Sequence, residues 1–170
     1  MKTTPNSSQN EVVVLMPARN EARNLPSAIF AVNRSQNVNA NTHVLVGANA
    51  CTDNTVEVLE TLKLKNKNLD YVVEGVPGKP RALNALIDRA EKTRKLGNDD
   101  VILFLDANAH VQENTIADLT VMLKHNKKLN AVSANDIASA PANDSVMDHL
   151  LFGVSEISLS SLALRDRKAS

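Results

Sequence analysis

Three polar side chains follow one another at alternate positions directly after the apolar run Val101-Ile102-Leu103-Phe104-Leu105: a carboxylate at Asp106, an amide at Asn108 and an imidazole at His110. An apolar run with no polar break fits a parallel strand buried on both faces. If the backbone stays extended past Leu105, the period of two places Asp106, Asn108 and His110 on one face, and three ligand groups converge. In open α/β sheets ligands bind outside the carboxyl ends of the strands, where this cluster would lie. A strand that simply ends in a polar turn is the plainer alternative, and the two weigh about evenly on this stretch alone.

The elements that must carry such a cluster can be read from the rest of the chain. Val12-Val13-Val14-Leu15-Met16 is a β-branched run closed by Pro17 and reads as a buried first strand. After the turn Ala18-Arg19-Asn20-Glu21, Leu25, Ala28, Ile29 and Val32 recur at helical spacing, with Asn24 placed to cap and Pro26 in the first turn. His43 to Gly47 is a second strand. The polar loop Asn49 to Asn54 follows, and Asn54 with Glu57 suggests a capping box for a helix to about Leu64.

Leu69 to Glu74 is shorter and more polar, which puts this third strand nearer an edge. The loop Gly75 to Pro80 leads to an amphipathic helix marked by Leu83, Leu86, Ile87 and Ala90, running out near Gly97. Past the central cluster, Ile116, Leu119 and Leu123 mark another helix, and Asn130 to Ser133 a weak fifth strand. Asp136 to Asn143 reads as a loop. Asp144 to Leu164 reads as a last helix, because Val146, Leu150, Val154 and Ile157 share one face. Strands alternating with helices call for an α/β fold, a three-layer α/β/α sandwich around a mostly parallel sheet with right-handed crossovers.

With 170 residues the chain has the length of one domain, residues 11–170, behind a polar stretch over residues 1–10 that reads as a disordered lead-in. Lys+Arg and Asp+Glu are both 19, so no global field draws the protein to nucleic acid or an anionic membrane. Aromatic residues make up 2% of the chain, which argues against base-stacking platforms for single strands. Cys51 is alone, so an internal disulfide is ruled out and a reducing, cytoplasmic compartment is the simplest expectation. The segment Val146 to Leu164 is interrupted by Asp148, His149 and Glu156 and falls short of a spanning helix. Its apolar stripe is expected to meet a second copy of the chain or the inner face of a membrane.

Four stretches carry a resemblance. Pro17-Ala18-Arg19-Asn20-Glu21, Asn49-Ala50-Cys51-Thr52-Asp53-Asn54-Thr55, Gly78-Lys79-Pro80-Arg81-Ala82-Leu83-Asn84 and Leu105-Asp106-Ala107-Asn108 stand in order over Val12 to Leu123. Together they resemble the nucleotide-sugar-binding half, of GT-A fold, of the family 2 glycosyltransferases. The resemblance implies a nucleotide diphosphate sugar as donor and an inverting transfer to an acceptor hydroxyl, whether on a glycan, a lipid or a small molecule. It implies that Pro17, Ala18, Asn20 and Glu21 line the base and ribose pocket, with Asn49 where the family usually has a base-contacting Asp. Lys79 and Arg81 open a helix whose free N–H groups and basic side chains suit a diphosphate; without the family they read as a solvated helix start.

The resemblance further implies Mn2+ or Mg2+, held by Asp106 with Asn108 and His110. Here the chain departs from the pattern, because the second Asp of the family's Asp-x-Asp is Asn108. An amide oxygen lacks the carboxylate's charge, so weaker donor affinity or altered metal use is expected. His110 could supply a nitrogen that manganese accepts better than magnesium, and otherwise reads as a surface histidine. Asp53 reads as a helix cap and Cys51 as a small loop residue. The acceptor half that usually supplies the general base has no counterpart before Ser170, and Asp136 and Asp144 match no motif, so no catalytic base is named.

The second reading is a degenerate or truncated relative that binds a nucleotide or a partner without turnover. A dinucleotide dehydrogenase is disfavoured because the first strand leads to no Gly-x-Gly-x-x-Gly turn. A sugar-phosphate nucleotidyltransferase would carry a Gly-rich basic first loop, and Pro17 to Glu21 has no glycine.

Overall fold

The computed structural model describes residues 11–35, 41–94, 96, 100–109, 111–126, 129 and 131–134, and the backbone of 161–165. The elements run β1 (Glu11–Ala18), α1 (Leu25–Arg34), β2 (Asn41–Asn49), α2 (Thr55–Lys65), β3 (Leu69–Glu74), α3 (Lys79–Arg94), β4 (Val101–Leu105), α4 (Thr115–His125), β5 (Ala131–Ser133) and β6 (Ser161–Arg165). The strands form one sheet in the order β3-β2-β1-β4-β6-β5. The first four are parallel, and β6 runs antiparallel between β4 and β5.

This order follows from chain direction and handedness. From β1 to β2 to β3 the chain steps one way across the sheet, and a right-handed crossover puts α1 and α2 on the same face. From β3 it returns past β2 and β1 to β4, which puts α3 on the other face. The cores agree with this. Val12, Val14 and Met16 of β1 pack with Leu25 and Ile29 of α1, Leu59 of α2 and Ile116, Leu119 and Leu123 of α4, while Val13 and Leu15 pack with Leu86 and Ala90 of α3. A strand sealed on both faces has no reason to alternate polar and apolar residues, which explains the continuous run Val12 to Met16. Gly47 lets α3 come close to β2, since a Cβ there would stand 3.2 Å from the Leu86 side chain.

β3 lies at the sheet edge, as its short polar sequence suggests. Several local expectations change. β1 continues through Pro17 to Ala18, paired with Gly47 and Ala48 of β2, although its pairing with β4 stops at Leu15. Pro17 is tolerated because β1 has lost one neighbour by then. Asn24 makes no side-chain cap; its Nδ2 donates to Glu21 Oε2 at 2.6 Å. Asn54 makes none either, so the expected capping box is absent, and Asp53 Oδ1 accepts the Thr55 N–H at 3.1 Å instead. Asp53 has the capping role read for it.

Of the helix expected over Asp144 to Leu164, Ser161 to Leu164 lie in β6. Pairing there with Val101 to Leu105 covers what would be an open edge of β4, a long-range gain that overrides a helical period. The rest of that expected helix, with its apolar stripe, lies outside the described residues. No helix among the described residues is long and apolar enough to cross a membrane.

Candidate functional site

The sheet order creates a crevice. β1 and β4 are neighbours whose next connections leave in opposite directions, which opens a crevice beyond their carboxyl ends. An open cleft of about 330 Å³ lies there, lined by Pro17 and Ala18 at the end of β1 and Arg19 and Glu21 after it, Asn49 from β2, Gly78 just before α3 with Lys79 and Ala82 in its first turn, and Asp106, Ala107 and Asn108 after β4.

The backbone past Leu105 does not stay extended. The Ala109 N–H donates to the Asp106 carbonyl at 3.0 Å, closing a turn, so the period-two convergence of three side chains is replaced by a turn that still leaves Asp106 and Asn108 on the cleft. A chain leaving β4 has no β1 partner beyond Phe104 to hold it extended. His110 lies outside the described residues.

The loop after β1 is held by the loop after β2. Asn20 has φ 58°, a left-handed conformation that Asn tolerates, and its Oδ1 accepts the Thr52 N–H at 2.8 Å. Next to it, the Glu21 N–H donates to Thr55 Oγ1 at 3.0 Å and the Ala22 N–H to Asp53 Oδ2 at 3.3 Å. The Thr55 hydroxyl also donates to Asp53 Oδ1, and this bond leads the contacts that lower the Asp53 carboxyl below its ordinary range. Asp53 is thus an anionic knot between two loops. Cys51 is a partly buried loop residue whose thiol faces the Ala18 carbonyl at 3.6 Å.

The third wall is the start of α3. Asn49, 4% exposed at the end of β2, donates from Nδ2 to the Val76 carbonyl at 2.8 Å and accepts the Gly78 N–H on Oδ1 at 2.7 Å. Gly78 has φ +148°, where a side chain is strained, while a Cβ would meet only ordinary contacts at 3.6 Å; glycine is required by the backbone and not by space. Lys79 follows as the first residue of α3, and its Nζ lies 2.7 Å from Asp106 Oδ1.

Of the residues singled out from sequence, Pro17, Ala18, Glu21, Asn49, Lys79, Asp106 and Asn108 meet at the cleft. Asn20 does not line it but fixes the loop that does, and Arg81 is exposed and is not among the lining residues, its side chain lying beside Gly78. Arg81 is the third residue of α3, and the turn of the helix takes it off the wall that Lys79 and Ala82 share. Arg19, Gly78, Ala82 and Ala107 were not singled out, though all stand inside the four stretches; Ala82 and Ala107 are buried walls, 0% and 2% exposed.

For a cation, Asp106 and Asn108 offer hard oxygen donors, which suits Mg2+ or Mn2+, with a single negative charge between them. Among the described residues no three His, Cys, Asp or Glu side chains gather as a ligand set. The pair fits as part of a coordination shell to be completed by other oxygens, with Lys79 competing for the carboxylate.

The model of the family described as glycosyl transferase family 2 matches residues 13–160. The chain belongs to this family. No match is found among the curated proteins. Among solved structures, this family 2 chain is similar to the mannosyltransferase PcManGT from Pyrobaculum calidifontis in complex with GDP-Man and Mn2+, at 19% identity and TM-score 0.68 over 94% of the chain and 45% of that protein. It is similar to TarS 1-349 of S. aureus at 15% identity and TM-score 0.62, covering 91% and 47%. A third likeness is to glucosyl-3-phosphoglycerate synthase from Mycobacterium tuberculosis in complex with UDP, at 17% identity and TM-score 0.61, covering 92% and 57%. These likenesses establish the GT-A fold. The chain spans about half the length of the structures it matches, 45% to 57% in these three.

Proposed function

We propose that this family 2 chain is the donor-binding half of a glycosyltransferase and that the cleft takes a nucleotide diphosphate sugar. The observation that carries this is the meeting, at one switch point of a GT-A sheet, of a helix start bearing Lys79 with the carboxylate of Asp106. The positive end of the α3 dipole and the Lys79 ammonium suit a diphosphate, and Pro17, Ala18 and Glu21 with Asn49 offer walls for base and ribose. Solved relatives in fold are complexed with GDP-Man and Mn2+, with UDP, and with UDP-GlcNAc, which supports this class of ligand.

Asp106 with the Asn108 carbonyl would hold a divalent cation, and His110 is carried in the same proposal. The cation would neutralise charge that grows on the leaving diphosphate. In the transfer, the acceptor oxygen forms a bond to the anomeric carbon, the bond to the diphosphate breaks, and the acceptor's proton goes to a base; no described residue is assigned that role. The lone Cys51 supports a cytoplasmic setting.

Calorimetric titration with GDP and UDP, with and without Mn2+, tests the reading. Saturable binding of one of them is expected, stronger with Mn2+, and no binding of either overturns it. Asn108 in place of a second carboxylate favours a second reading, a donor-binding relative without turnover. Release of free sugar from a bound donor supports the enzyme, and tight binding with no sugar release supports the second reading.

A further inference from the structure

The side chain of Asn49 stands where the family resemblance expects a carboxylate that reads the base, yet its bonds run elsewhere. Nδ2 donates to Val76 and Oδ1 accepts from Gly78, at 2.8 and 2.7 Å. The orientation of the amide follows from its partners, because a carbonyl only accepts and an N–H only donates. An ionised carboxylate accepts only, so it could keep the Gly78 bond and would set a negative charge against the Val76 carbonyl.

What the amide grips is short and continuous with the cleft. Between Val76 and Gly78 stands Pro77, which has no N–H to tie the loop down itself. Gly78 sits at φ +148° and Lys79 comes next, with Nζ 2.7 Å from Asp106. A second brace begins at the neighbouring residue: Ala50, left-handed at φ 46°, donates its N–H to the Glu74 carbonyl at 2.7 Å, and Glu74 Oε1 accepts the Val76 N–H at 3.1 Å. A non-glycine residue in that conformation is strained, so the residue that follows β2 is held in an unfavourable backbone by the contacts it makes with this loop.

We infer that Asn49 is a positioning residue, a buried amide that donates to one side of the 76–78 loop and accepts from the other, and so holds the first turn of α3 where Lys79 reaches Asp106 and the diphosphate. The inference rests on the donor reading above for the diphosphate alone; the grip on the loop is independent of it. Amide chemistry is the requirement, and this explains why an asparagine serves here in place of an acid.

Two variants of the full chain test it. In Asn49→Asp, the affinity for GDP or UDP is expected to fall at least 10-fold below native at pH 8. The deficit relative to native should close as pH falls toward 5, because a protonated carboxyl regains the donor that Val76 needs. In Asn49→Ala, hydrogen exchange at fixed pH over residues 75–79 is expected to rise at least 10-fold, with exchange in β1 and β4 unchanged. If native protein binds neither nucleotide while the exchange result holds, the donor reading fails and the grip stands. Unchanged exchange over 75–79 overturns the inference. So does an Asn49→Asp variant that matches native at every pH, or binds more tightly at pH 8, since the side chain would then be reading the nucleotide directly.

Discussion

The two edges of the sheet carry similar residues and use them differently. At the carboxyl edge the polar groups Asn20, Asn49, Asp53 and Thr55 bond mostly to backbone, tie the loops to one another, and leave a cleft of about 330 Å³. At the amino edge, charged side chains are matched with one another. Asp70 takes both Lys63 and Arg89, the latter at 2.8 Å, and His43 lies between Glu11 and Arg94. The space left there is about 10 Å³, room for no more than one water.

Burial alone would raise the Asp70 carboxyl, but hydrogen bonds from Lys63, Arg89 and the Tyr71 N–H outweigh it and hold it at about 2. A strongly shifted group is thus found at the edge without a cleft, and the lesson is that a perturbed carboxylate marks a site only where a concavity accompanies it.

Exchanging charges at the two edges is the sharpest way to break this contrast. Lys79→Met is expected to weaken GDP or UDP binding roughly 10- to 100-fold, the equivalent of about 1.5–3 kcal/mol for a charge-assisted bond, with little change in Tm. Arg89→Met should leave nucleotide affinity unaltered, and equal losses in both variants would erase the distinction between the edges. Gly78→Ala should follow in size, costing about 1–3 kcal/mol of backbone strain that appears as lost affinity and faster exchange in the loop before α3.

The amino edge should respond in stability alone. Asp70→Asn is expected to lower unfolding free energy by about 1 kcal/mol with affinity unchanged. Because the folded carboxyl titrates at about 2 and its ordinary value is 3.8, this stabilisation is complete above about pH 4 and disappears as pH falls toward 2; acid unfolding of native and variant should converge there. The smallest effect belongs to His43, whose pKa is pushed below 6.5 by burial first and then by Arg94, against the opposing pull of Glu11. The unfolded chain binds the proton more readily, so stability should decline as pH drops below 6.5, and His43→Gln should flatten that slope.

Much of this was legible beforehand where the signal is local. The runs Val12 to Met16 and Val101 to Leu105 are strands because nothing polar could survive between two layers of helices, and the glycines and proline of residues 75–78 mark a loop, although Lys79 and Pro80, read as part of it, already begin α3. The four short stretches pointed to one edge, and the cleft gathers members of each. Local reasoning failed where a distant partner decides. Asn24 and Asn54 have the chemistry of caps, but the Asn24 amide is engaged by Glu21 and Asp53 takes the Thr55 N–H beside Asn54. Ser161 to Leu164 fit a helical stripe and instead pair along β4, and the grip of Asn49 joins residues 27 and 29 positions apart that share no pattern.

The sequence alone determined the strands and helices from β1 to α4 and the polar loops that follow them, because hydrophobic period, proline and glycine act over a few residues. Tertiary structure alone decided that β1 and β4 are neighbours, that α3 crosses to the opposite face so that its first turn overhangs the gap, and that Lys79 meets Asp106 there. Those outcomes depend on strand order and crossover handedness, properties of the whole sheet that no stretch of it encodes.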